Sequence, residues 1–157
     1  MSGLLIPARE RPELAITPES AGWTYCGLRI VRIPPGEHRQ LGTGGEEFAV
    51  LPLAGSAVVE VDGLRFELEG RSSVFARVSD WAYLPIGSKA VLSSDAGAEL
   101  ALASARAERR FEPAYVAAAD VPIEVRGAGQ ATRQLTNFLA PGSFDACDRL
   151  ICVEALT

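Results

Sequence analysis

Apolar residues along this chain come in short runs, many alternating with polar ones, and nearly every run is bounded by Gly, Pro or Asp. Alternation with a period of two puts one set of side chains on each face of an extended strand. The clearest case is Ala57-Val58-Val59-Glu60-Val61 followed by Leu64-Arg65-Phe66-Glu67-Leu68, with Asp62-Gly63 between them. An Asp-Gly pair between alternating runs predicts a hairpin with a two-residue loop, because both turn positions need positive φ. That loop sets Val61 opposite Leu64, Glu60 opposite Arg65 and Val59 opposite Phe66. Cross-strand pairs of this kind contribute roughly 0.2–1 kcal/mol each, so the register is well specified.

Further strands are predicted over residues 25–33, 48–53, 73–78, 81–84, 90–93, 99–104, 123–125, 133–139 and 150–155. Short strands recurring with turn signals between them are the pattern of a sandwich or barrel. Helical periodicity is weak throughout. The best helical stretch, residues 115–120, is alanine-rich but only one or two turns long, and Pro113 and Pro122 bracket it. No repeat and no low-complexity linker divides the 157 residues, so a single all-β domain is expected.

Composition narrows the function classes. Hydrophobic residues make up 48% and charged residues 22%, ordinary values for a globular domain. Net charge is −5, and Lys89 is the only lysine. The arginines are scattered apart from Arg109-Arg110, which argues against nucleic acid as a partner, since phosphate binding demands a basic face. No run approaches the ~18–20 apolar residues of a membrane span, so no membrane partner is expected. Met1 to Glu10 lacks a basic segment followed by an apolar one, so no secretory signal is expected. Cys26, Cys147 and Cys152 form an odd set without Cys-x-x-Cys spacing, which fits reduced thiols in a cytoplasmic protein better than a disulfide framework or zinc knuckle.

Between Gly36 and Gly87 the order is a Gly-rich entry, an acidic pair, an apolar strand, Gly55, the hairpin, Gly70, further strands, and Pro85-Ile86-Gly87. This succession is similar to that of cupins, and implies a cupin-type, jelly-roll antiparallel barrel. A metal cupin would carry two histidines and a glutamate on the first segment and another histidine three residues beyond the Pro-x-Gly. Here His38 is the only histidine and Ala90 stands at the later position.

The stretch Thr17-Pro18-Glu19-Ser20-Ala21-Gly22-Trp23 resembles the opening motif of the 5-deoxy-glucuronate isomerases, the IolB family of inositol-catabolism bicupins. Arg126-Gly127-Ala128-Gly129-Gln130-Ala131-Thr132-Arg133, followed by Asn137, resembles that family's inter-cupin segment. Tyr83-Leu84-Pro85-Ile86-Gly87, Gly55, Asp62-Gly63 and Leu150-Ile151-x-Val153-Glu154 fall in matching order. The resemblance covers essentially the whole chain. It implies aldose–ketose isomerisation of 5-deoxy-glucuronate to 2-deoxy-5-keto-gluconate. It also implies a chain about twice this length whose second cupin carries the histidine-rich metal motif. The sequence is therefore expected to be the N-terminal half of a bicupin, with no cofactor of its own and a divalent metal on the other half.

Glu46-Glu47 with His38 is the nearest approach to a metal cluster. One reading is a residual cation site in the barrel mouth; the other is a solvated polar loop over residues 36–45 ending in an edge carboxylate pair. No metal ligand and no catalytic residue is assigned. Arg126 and Arg133 flank a glycine-rich turn. They read either as bidentate receptors for a uronate carboxylate or as pins that hold the crossover to backbone carbonyls. Tyr83, with Trp81 two residues before it, reads as a pocket-lining group or as core beneath the Pro-Gly turn. Substrate contacts are thus expected at Arg126, Arg133 and Tyr83. One histidine allows no Ser-His-Asp or Cys-His set. Alone, the chain is expected to be inactive, and the alternative to an isomerase half is a non-catalytic cupin that binds a sugar acid or dimerises. Strand 150–155 would leave an uncovered edge, which favours a homo-oligomer.

Overall fold

The computed structural model describes residues 13–157; the reading of Met1 to Glu10 lies outside them. The elements are β1 (Leu14–Ile16), a short helix α1 (Pro18–Ala21), β2 (Cys26–Ile33), β3 (Glu37–Gly42), β4 (Glu46–Val61), β5 (Leu64–Arg71), β6 (Trp81–Leu84), β7 (Lys89–Ser94), β8 (Ala98–Arg106), β9 (Ala114–Val116), β10 (Ile123–Arg126), β11 (Arg133–Leu139) and β12 (Cys152–Leu156). Every strand pairing is antiparallel. The arrangement is cupin-like, and its sheets stay open instead of closing into a barrel.

The 16-residue strand β4 organises the fold. Its first part pairs with β8 and β6, extending a layer ordered β1-β2-β8-β4-β6-β9. Its last part pairs with β5 and β7, and β7 pairs with β3, giving a second layer. Two strands expected at 48–53 and 57–61 are therefore one strand that passes between layers. The bend falls where register slips between Pro52 and Ala54 and again between Gly55 and Ala57. Gly55 has φ 82°, and a methyl there would collide with the Gly97 carbonyl, so glycine is what lets the strand turn.

Between the layers lies an apolar core of Val31, Ile33, Leu41, Phe48, Val50, Val59, Val61, Leu68, Leu84, Leu92, Leu100 and Leu102. The hairpin has the expected register, with Val61 opposite Leu64, Glu60 opposite Arg65 and Val59 opposite Phe66. Asp62 and Gly63 carry φ of 51° and 84°, and Arg65 Nη1 donates to Glu60 Oε1 at 2.9 Å.

Two expectations fail, and the weak helical signal yields no α-helix. Residues 37–42, read as part of a solvated loop, form the edge strand β3 against β7. Only Leu41 turns inward there, so no alternation marks the strand. Residues 73–78, read as a strand, are irregular, with Phe75 exposed. Residues 115–120 form no α-helix: Tyr115 pairs with Ala82 in β9, and a single 3₁₀ turn follows at Ala118–Asp120. The flanking prolines leave too few residues for a helix.

The outer face of the first layer is also buried. Ala49, Leu51, Trp81, Tyr83, Ala101 and Ala105 point away from the inter-layer core and pack under Val121, Phe138, Leu139 and Leu150. That cover comes from a separate sheet, β10-β11-β12, and from the strap between β11 and β12, residues 140–151. Glu154 of β12 accepts both guanidinium nitrogens of the fully buried Arg71, at 3.0 and 2.5 Å. Arg71 Nε also donates to the Pro52 carbonyl at 2.9 Å, which locks the second sheet to the bend of β4.

Candidate functional site

The interior offers no home for a metal. Ala90 is buried beside Phe48 and Leu92 at the position where a cupin histidine would fall. His38 is exposed on β3 opposite Ser93, away from the acidic pair. Glu46 and Glu47, neighbours on β4, point to opposite faces. Among the described residues no three His, Cys, Asp or Glu side chains converge to hold an ion. The donor set of the described residues therefore does not fit the divalent metal that the fold family implies, and no chemical step is routed through one.

Glu47 is no solvated edge residue. It is fully buried on the outer face and accepts the backbone N–H groups of Asp148 (2.9 Å), Arg149 (2.6 Å) and Leu150 (2.6 Å). The Tyr83 hydroxyl donates to its Oε2, the oxygen that also accepts from Asp148, at 2.7 Å. Burial, followed by the hydrogen bond to Glu47, pushes the Tyr83 phenol well above its ordinary value. Phe144 of the strap packs on Trp81 and Tyr83 with ring centroids 5.1 and 5.4 Å away. Tyr83 thus faces the second core, its hydroxyl committed to the clamp that holds the strap. Next to the clamp, Asp148 accepts the backbone N–H of Glu108 (2.8 Å) and of Arg109, and Arg109 Nε at 2.8 Å. These contacts, the Glu108 N–H foremost, lower its carboxyl to about 2.

Arg126 and Arg133 stand directly opposite each other on β10 and β11, exposed and on the same face. Glu124 accepts Arg126 Nε and Nη2 at 2.8 and 2.7 Å, and takes Asn137 Nδ2 at 2.9 Å on its other oxygen. Among the described residues no carboxylate pairs with Arg133. The structure brings these two arginines together and leaves Tyr83 in a different place.

A further polar group went unrecognised in the sequence. The inner faces of β2, β4 and β8 change character at one end of the interior. Register sets Glu46 opposite Arg106, and Phe48 and Gly27 opposite Ser104. Arg29 lies two residues along from Gly27, opposite Leu102. Of these, Arg29, Glu46 and Arg106, with Thr17, Pro18, Glu19, Gly45 and Ala107, line an open groove of about 540 Å³, while Ser104 and Gly27 are buried and outside its lining. Arg29 Nη2 is 3.6 Å from Glu46 Oε2, Ser104 Oγ donates to Glu46 Oε1 at 3.3 Å, and Arg106 pairs with Glu19. The Arg29 guanidinium lies over the Phe48 ring, 5.3 Å from its centre. No linear pattern announces this cluster, because it exists only once three strands are in register.

Comparison with known proteins matches the chain over residues 4–157 to the model of the KduI/IolB family. A 5-deoxy-glucuronate isomerase of Geobacillus kaustophilus is 30% identical, the alignment covering 100% of this chain and 58% of that protein. The 5-deoxy-glucuronate isomerase of Geobacillus thermodenitrificans is also 30% identical, over 96% of this chain and 55% of its own length. The crystal structure of an IolB-like protein from Salmonella typhimurium superposes with a TM-score of 0.84 at 28% identity, over 90% of this chain and 54% of that one. The chain thus spans a little over half the length of these relatives. It belongs to the KduI/IolB family.

Proposed function

We propose that this chain is one cupin half of an aldose–ketose isomerase acting on 5-deoxy-glucuronate, and that it supplies scaffold and substrate contacts while the metal chemistry belongs to the other half. The observation that carries the reading is an apolar interior, Ala90 and Phe48 included, inside a chain whose family relatives are named for that reaction. The reaction moves a proton between adjacent carbons through an enediolate, whose charge needs a cation or fixed donors. The apolar core around Ala90 and Phe48 has neither.

Within that reading Arg126 and Arg133 receive a carboxylate. Like charges directly opposite on a sheet repel, and Glu124 balances only one of them. A bound carboxylate would balance the other. Tyr83 acts one step back, by fixing the strap beside the β11–β12 sheet. The free Cys26, Cys147 and Cys152 suit a reducing cytoplasm. The exposed Ile151 and Val153, flanking the outer edge of β12, favour assembly with a second cupin barrel or a second copy.

The test is turnover of 5-deoxy-glucuronate, with the Geobacillus kaustophilus relative as positive control. The chain alone is expected to be inactive and to bind no stoichiometric transition metal. Fused to the remaining half of that relative, it is expected to turn over substrate. Chelator-sensitive turnover by the chain alone overturns the division of labour, and a folded, inactive fusion overturns the isomerase reading.

A further inference from the structure

We infer that the groove at the open end of the interior, walled by Arg29, Glu46 and Arg106, is a binding site for a sugar acid: carboxylate on the guanidinium groups, ring hydroxyls on Glu46, which Ser104 holds from behind. The choice of ligand rests on the sugar-acid reading above. The site itself rests on geometry.

Along β2, β4 and β8 the inward positions are apolar through the core, as Val31, Val50, Leu100 and Leu102 show, and turn polar together in the last rows. Stability does not explain the switch. Solvent-exposed ion pairs contribute little to stability, so more apolar side chains would close this end at least as well. The pairs are also loosely made. At 3.6 Å the Arg29–Glu46 contact is no hydrogen bond, so the Arg29 fork keeps its donors while the Phe48 ring fixes its plane. Arg106 spends itself on Glu19, an exposed residue of α1 that a ligand carboxylate can displace.

Glycine also sets the Glu46 carboxylate. A methyl at Gly27 would come 2.6 Å from Ser104 Oγ and 3.5 Å from Glu46 Oε1, disturbing the hydroxyl–carboxylate pair that orients Glu46. At about 540 Å³ the groove falls within the ~300–1,000 Å³ of small-molecule sites. Its mixed lining matches a ligand that carries one carboxylate and several hydroxyls, since arginine reads the first bidentately and carboxylates accept from the second.

The experiment is calorimetric titration of the 157-residue chain with D-glucuronate and with D-glucose, together with backbone amide NMR. D-glucuronate is expected to bind, D-glucose at least tenfold more weakly, and the amides of Gly27, Glu46 and Ser104 to shift. R29Q and R106Q should each weaken binding at least tenfold, with folding checked by circular dichroism. R65Q, on the distant hairpin, should leave it unchanged. If R29Q fails to fold, the amide shifts of the unaltered chain decide. Loss of binding in R133Q but not in R29Q or R106Q, with shifts at Arg126 and Arg133, overturns the groove and leaves the isomerase reading standing. Absence of D-glucuronate binding also overturns it, while the fusion assay judges the isomerase reading independently.

Discussion

The two faces of the layer β1-β2-β8-β4-β6-β9 are buried by different means. Its inner face meets the strands of the second layer, and apolar side chains close on one another without polar help. Its outer face is alanine- and aromatic-rich and is covered by the sheet β10-β11-β12, tied down by Arg71 on Glu154, and by a strap with little regular structure, held by Glu47 on three backbone N–H groups and by Phe144 on Trp81 and Tyr83. Strands satisfy their own backbone, whereas a strap laid on an apolar face must have its amides answered by side chains. Glu47 is that answer. The price of the solution is that stability on the outer face hangs on a few polar groups.

The sharpest way to break the comparison is Glu47→Ala. It strands three N–H groups and the Tyr83 hydroxyl in a buried place, and is expected to cost about 3–5 kcal/mol, read by urea denaturation. Proteolysis within residues 140–150 should then precede global unfolding. Leu100→Ala on the inner face is expected to cost about 2–5 kcal/mol, with no early cleavage of the strap. Equal protease patterns in the two variants would erase the distinction.

A milder probe uses pH. The Asp148 carboxyl titrates at about 2 in the fold instead of the usual 3.8. Its contribution is therefore fully present above about pH 4 and lost as pH falls toward 2. Asp148→Asn should be less stable than the unaltered chain at neutral pH, with the gap closing across that window. The smallest effect is expected at the exposed hairpin, where Arg65→Ala removes surface pairs with Glu60 and Glu67 and should leave the urea midpoint almost unchanged.

The second layer was readable in the sequence because burial there alternates, as Val59, Val61 and Leu68 show, and because Asp62-Gly63 fixes a register. The outer face was not. Glu47 reads as one half of an acidic pair, yet its partners lie 101 to 103 residues away. Strand β3 escaped notice because four of its first five residues are polar, an edge that packs through Leu41 alone. Arg126 and Arg133 were read from a motif, and their pairing needed only the short connection between β10 and β11. The groove of Arg29, Glu46 and Arg106 draws on strands far apart in sequence, so its members looked like ordinary surface charges.

The Glu47 clamp has a consequence for the timescale on which the strap opens. Amides in an irregular connection normally exchange with solvent deuterium quickly, because nothing but local fluctuation shields them. Those of Asp148, Arg149 and Leu150 are tied to a carboxylate sealed inside the domain. Their exchange should be as slow as that of the strand amides, so a three-residue island of protection would stand in a segment that otherwise labels within seconds.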